Sequence, residues 1–176
     1  MRAASAEATG SARLFIALWP DPCVRDAIAA WSERWQWNAV ARRVRTERLH
    51  LTLHFLGNVP RERLPDLRRA LETSFAPFSL VLDRSAIWPG GVAVLEPGDV
   101  PRPLRQLHTA LADALQRVAL APETRAFRPH VTLARRAGPA LPPAAGQRLR
   151  WPVKDYTLVE SRSQPAAGYV VIQAYP

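Results

Sequence analysis

A chain of 176 residues with 48% hydrophobic side chains has room for one domain with a sizeable core, and the expected partition is a disordered tail over 1–12 followed by a single domain over 13–176. The formal net charge of +9 points to an anionic partner, although a basic side that is all arginine apart from Lys154, in a chain rich in Ala and Pro, also follows from codon bias. The one cysteine, Cys23, excludes an internal disulfide, and with no apolar run near the ~20 residues of a membrane span and no signal-peptide core, the expectation is a cytoplasmic protein that does not enter a membrane.

In chain order, Arg13 to Trp19 is an apolar run stopped by Pro20, the mark of a buried strand. Asp21-Pro22 then starts a helix, with Asp as N-cap and Pro in the first turn, and Val24, Ile28, Trp31 and Trp35 fall on one face. Those tryptophans are read as core. Ala39 to Glu47 is a basic connection. Arg48 to Leu56 is the next strand, ended by Gly57-Asn58, and Pro60 opens a helix with Leu64, Leu67 and Leu71 inward. Phe78 to Leu82 and Ala86 to Trp88 read as strand, with Val92 to Leu95 returning after Pro89-Gly90-Gly91. A third helix from Pro101 or Pro103 buries Leu104, Leu107, Leu111, Leu115 and Val118. Strands at Ala126 to Arg135, Tyr156 to Val159 and Tyr169 to Ala174 follow, with a loop over Ala137 to Gly146 and a polar turn from Ser161 to Gly168. Hairpins outnumber crossovers, so the fold class is α+β with mainly antiparallel sheet. The chain holds no Gly-rich phosphate loop, zinc-type Cys spacing or Ser-centred elbow.

Two of these strands share a motif. His50-Leu51-Thr52-Leu53 and His130-Val131-Thr132-Leu133 both read His, apolar, Thr, Leu, one in each half of the chain. Alternation along a strand puts His50, Thr52 and His54 on one face and Leu51, Leu53 and Phe55 on the other; it likewise groups His130, Thr132 and Ala134. Two imidazoles and two hydroxyls facing one cleft suit phosphoryl transfer without a metal: one imidazole is the base, the other the acid, and the hydroxyls hold the non-bridging oxygens. The i, i+4 pair His50 and His54 would suit a metal on a helix, but on a strand it spans ~13 Å, against the ~2 Å reach of a ligand bond. No metal or other cofactor is expected. His54 is read as a cleft wall and His108 as structural.

At these residues the chain resembles the 2H phosphoesterase superfamily, and more closely the RNA 2′,3′-cyclic phosphodiesterases, also called the 2′-5′ RNA ligase family. The resemblance runs from Arg13-Leu14-Phe15-Ile16-Ala17 through both motifs to Glu160-Ser161 and Gly168-Tyr169. It implies a bilobal fold with pseudo-twofold symmetry around a central cleft, helices outside, acting on RNA ends or oligonucleotides that carry a 2′,3′-cyclic phosphate. The implied product is a 2′-phosphate, with reversible 2′-5′ ligation as a side activity. His130 would activate water and His50 would protonate the departing 3′ oxygen, and the near-symmetry leaves the reverse assignment open. Thr52 and Thr132 would bind phosphate, Phe55 would stack on the terminal base, and Arg135 would contact phosphate or base. Phe55 and Arg135 each lie five positions after their histidine, on the wrong face by strict alternation, so a bulge or a strand end must turn them. The chain departs from the family pattern at His54 and in its short Ser163 to Gly168 turn. The expected enzyme is a monomer. The alternatives are a 2H esterase on 2′-5′ oligonucleotides or small cyclic nucleotides, and a non-catalytic RNA-binding module.

Overall fold

The computed structural model describes residues 10–144, 148–162 and 168–176. Residues 1–9 of the expected tail, and the core of the Ser163 to Gly168 turn, lie outside them. Ser11 and Ala12, expected in the tail, already belong to strand β1 (Ser11–Leu18), with Ala12 buried opposite Val59. The remaining strands are β2 (Arg42–Arg43), β3 (Leu51–Pro60), β4 (Phe78–Leu82), β5 (Arg84–Trp88), β6 (Val92–Glu96), β7 (Val131–Arg135), β8 (Leu149–Val153), β9 (Tyr156–Arg162) and β10 (Gly168–Tyr175). Among the described residues three α-helices accompany them: α1 (Pro22–Glu33), α2 (Leu64–Ala70) and α3 (Arg102–Arg117). The main sheet runs β10-β9-β1-β3-β7-β6-β5, with β2 added to β7, and β4 pairs separately with β8. The strand pairs are antiparallel, which gives the expected α+β class.

Local chemistry accounts for the helices. The Asp21 side chain accepts from the Val24 backbone N–H at 2.9 Å and caps α1, whose Val24, Ile28 and Trp31 are buried. Trp31 also donates its indole N–H to Ser85 Oγ at 2.8 Å, so the core tryptophan has its one polar atom satisfied. Leu104, Leu107, Leu111 and Leu115 form the buried face of α3. The second helix starts later than Pro60, at Leu64, after a 3₁₀ turn over Arg61–Arg63.

Two expectations are corrected, and two strands were not expected. Gly57 does not end β3: it adopts φ +69° inside a strand that continues to Pro60, where a glycine absorbs an irregularity that other residues meet with strain. The strand expected over Ala126 to Arg135 begins only at Val131. Pro129 has no N–H for a ladder, and the Arg128 carbonyl is taken by a side chain. The unexpected strands are β8, whose Leu149, Trp151 and Val153 alternate into the core against β4, and β2 within the basic connection.

Candidate active site

Both motifs sit at the middle of the main sheet. β3 and β7 meet through Leu51 opposite Val131, the apolar residue after each histidine. Antiparallel geometry around that pair brings His50 toward Thr132 and Thr52 toward His130. Each histidine is the residue immediately before its strand. All four side chains line one cleft of about 560 Å³, while Leu51, Leu53, Val131 and Leu133 are buried beneath.

Beyond the threonines both strands bulge. In β3, Thr52 pairs with Ala17 and His54 with Ile16, which leaves Leu53 as the extra residue. In β7, Thr132 pairs with Val94 and Ala134 with Ala93, which leaves Leu133 as the extra residue. The bulge sits three positions after the histidine in each case, and it reverses the facing of the two residues that follow it. Phe55 therefore turns into the cleft, 42% exposed, with the Arg13 guanidinium 5.1 Å over its ring. Arg135 turns into the cleft as well. The same reversal corrects two expectations. Ala134 faces the core, and His54 is not a cleft wall but wholly buried. Its ring stacks on His108 at 4.0 Å, and its Nε2–H donates to the His108 carbonyl at 2.8 Å. His108 stacks in turn on Phe127 at 3.9 Å, so its structural reading fits the packing.

The two cleft imidazoles are held alike. His50 Nδ1 lies 2.6 Å from the Arg48 carbonyl, and His130 Nδ1 lies 2.8 Å from the Arg128 carbonyl. A carbonyl only accepts, so each Nδ1 carries the hydrogen and each Nε2 is left for the cleft. Burial pushes the pKa of His50 down, against the Arg48 hydrogen bond, and the charge of His130 adds to the lowering. Burial also lowers His130; its Arg128 hydrogen bond and Glu96 oppose this, while Arg128 and Arg135 reinforce it. His50 feels the charge of His130, which disfavours protonating both rings at once. Such a pair can present a base and an acid to one phosphorus.

Their surroundings differ. His50 is packed among rings: Trp19 stacked at 5.4 Å, Phe15 at 4.9 Å and Tyr169 edge-on at 5.3 Å. His130 has Trp88 at 4.2 Å. Among the described residues five arginines line the cleft, at positions 13, 43, 45, 48 and 135, and no carboxylate does. Of these only Arg135 is an expected substrate contact. Arg43 and Arg45 come from the basic connection over Ala39 to Glu47, where β2 pairs Arg42 with Arg135 and Arg43 with Ala134. A single signal was present, the arginine density of residues 42 to 48. Among the described residues no three His, Cys, Asp or Glu side chains gather to hold a metal ion, and no helix is long and apolar enough to cross a membrane.

The sequence matches the 2′-5′ RNA ligase superfamily over residues 24–165. It is 34% identical to an RNA 2′,3′-cyclic phosphodiesterase of Thermus thermophilus over 141 residues, which cover 72% of this chain and 71% of that protein. It is 33% identical to an RNA 2′,3′-cyclic phosphodiesterase of Escherichia coli over 152 residues, 85% of this chain and 86% of that one. The crystal structure of Escherichia coli LigT in apo form superposes with a TM-score of 0.84 at 29% identity, covering 95% of this chain and 98% of the other.

Proposed function

The chain belongs to the 2′-5′ RNA ligase superfamily, and from that premise we propose that it hydrolyses the 2′,3′-cyclic phosphate at an RNA end to a 2′-phosphate, without a metal. In this reading water attacks phosphorus and loses a proton to Nε2 of His130. The bond from phosphorus to the 3′ oxygen breaks, and that oxygen takes a proton from Nε2 of His50. One water is consumed, a 2′-phosphomonoester and a 3′-hydroxyl are formed, and the two imidazoles re-exchange their proton through solvent. Thr52 and Thr132 donate to the non-bridging oxygens, where charge is held as the bond breaks. Phe55 stacks on the terminal base and Arg135 contacts phosphate or base. An RNA 5′-hydroxyl in place of water would give a 2′-5′ linkage by the same steps. The enzyme is read as a cytoplasmic monomer with two lobes related by a pseudo-twofold at the Leu51 and Val131 pair.

The observation that carries this reading is the matched pair of imidazoles, each fixed through Nδ1 by the carbonyl two residues before it, in a cleft with both threonines. A pair of equivalent tethers is not needed to stabilise a sheet. It is needed to aim two Nε2 atoms at one group.

The test is an oligonucleotide ending in a 2′,3′-cyclic phosphate, incubated with EDTA. A 2′-phosphate product is expected. His50→Ala and His130→Ala should each cost ~10²–10⁴ in turnover, the usual worth of a positioned acid or base, while RNA binding survives. Full activity in either variant sinks the two-histidine mechanism. A 3′-phosphate product would mean that the 2′ oxygen leaves instead, and loss of activity with EDTA would bring in a metal.

A further inference from the structure

Glu96 is 3% exposed and ends β6. β6 pairs with β7 through Leu95 opposite Val131, so one step further Glu96 comes opposite His130. Its carboxylate makes no hydrogen bond to the imidazole. It grips the two groups that do touch His130. Arg128 Nη2 lies 3.3 Å and 3.2 Å from the two carboxylate oxygens, and the Trp88 indole N–H donates at 3.2 Å. Arg84 adds a longer contact at 3.7 Å. The Arg128 guanidinium also lies 4.1 Å over the Trp88 ring, so carboxylate, guanidinium and indole form one closed cluster.

We propose that Glu96 is the positioning residue for His130: by holding Arg128 and Trp88 together it fixes the carbonyl and the ring that orient the imidazole. The inference deepens the functional reading above and rests on it for its catalytic meaning. The logic is that of a carboxylate behind a working histidine, moved one residue away. Here the acid does not contact Nδ1. The Arg128 carbonyl does, and Glu96 holds Arg128. His50 has a different support, a nest of Phe15, Trp19 and Tyr169. The two imidazoles are thus matched in tether and unequal in backing. The charged and titratable groups around His130 are Glu96 on β6, Arg84 on β5 through that carboxylate, Arg128 before β7, Arg135 at the end of β7, and His50 before β3. Among the causes that act on His130, Glu96 is the anion that favours its charged form, against Arg128 and Arg135.

The test compares wild type with Glu96→Gln and Glu96→Ala, following both imidazoles by ¹⁵N NMR titration and measuring kcat and KM on the cyclic-ended oligonucleotide. Glu96→Gln keeps an acceptor for Trp88 and removes the charge, so it covers the case in which the alanine variant fails to fold. In both folded variants the His130 titration midpoint should fall by about half a pH unit or more, with the His50 midpoint nearly fixed. The His130 Nδ1–H signal should exchange faster in the alanine variant. Turnover should drop by ~10–100-fold, with KM little changed. An unmoved His130 midpoint in Glu96→Gln overturns the proposal, whatever the activity. So does an equal movement of both histidines alongside a lower Tm, which is the mark of a merely structural residue. The NMR arm needs no substrate, so it stands or falls separately from the hydrolytic reading, which the His50→Ala and His130→Ala variants decide.

Discussion

At the scale of single residues, the site is defined by which nitrogen of each imidazole is free. Both Nδ1 atoms are committed to backbone carbonyls, so only the Nε2 atoms titrate into the cleft. Both imidazoles are held below the ordinary histidine value, chiefly by burial. Catalysis by one neutral and one charged imidazole gives a bell in kcat/KM against pH. Its acid limb marks protonation of both rings, and its alkaline limb marks loss of the last shared proton. With both titrations displaced downward, the alkaline limb begins early, and the maximum should fall below about pH 6.5, the unperturbed value. A rate–pH series on the cyclic-ended oligonucleotide checks this, and a maximum above about pH 8 would contradict it. Much of this scale was legible: His50, Thr52, His130 and Thr132 announce themselves by repetition, and the structure gathers them in one cleft. Arg43, Arg45 and Glu96 were not legible. Arg43 is placed by pairing with Ala134 and Glu96 by the step after the Leu95 and Val131 pair, both partners distant in sequence, while Arg45 only follows β2 along the same connection; residue type alone carries no trace of those pairings.

At the scale of elements, the bulge is the device that makes a strand into a site. A plain strand offers every second side chain to one face, so it would give the cleft His50, Thr52 and His54. The extra residue at Leu53 sends His54 into the core and brings Phe55 out instead. β7 repeats this with Leu133, Ala134 and Arg135. The sequence carried the clue in both copies at once, since Phe55 and Arg135 fall at the same offset and both look misplaced under alternation. It did not reveal which residue is the extra one, because two consecutive buried residues, Leu53 and His54, read as one apolar and one polar position. Gly57 then allows β3 a second irregularity, with Leu56 unpaired between Phe55 and Gly57. A Cβ added at Gly57 would lie 3.9 Å from the Phe55 ring, an ordinary contact, so the cost of substitution is the left-handed backbone at φ +69°. Gly57→Ala should lose ~1–2 kcal/mol in denaturant unfolding. If β3 relaxes to relieve that strain, Phe55 moves with it, so KM for the oligonucleotide should rise more than kcat falls. Unchanged stability would mean that the strand can pass Gly57 without a positive φ.

At the scale of the molecule, the same bulge welds the sheet to α3. Turning His54 inward places its imidazole against His108, which stacks in turn on Phe127, a run of three rings from the buried His54 to two half-buried partners. Its Nε2–H is used by the His108 carbonyl, and its buried Nδ1 has no hydrogen-bond partner. That nitrogen is tolerable only while it is a neutral lone pair, since a proton there would be a buried cationic donor with nothing to accept it. Burial lowers the pKa of His54 in spite of the His108 carbonyl and Glu123. His108 falls to about 4, from burial and the neighbouring His54, with Glu123 opposing. The sign follows by linkage. Between the unfolded value near 6.5 and the lower folded value, the unfolded chain binds more protons, so stability falls as pH falls through that window and is fully present above it. Charge repulsion in a chain already at +9 acts in the same direction, as do the lowered His50 and His130. Separating these contributions takes a variant away from the cleft. His108→Phe keeps a ring between His54 and Phe127 and removes one titrating group. Tm measured from pH 7 down to pH 4.5 should therefore decline less steeply in His108→Phe than in wild type, with cyclic phosphodiesterase activity at pH 7 retained. Parallel declines in the two proteins would show that the three-ring stack does not titrate over this range and that the cleft pair and net charge govern acid unfolding instead.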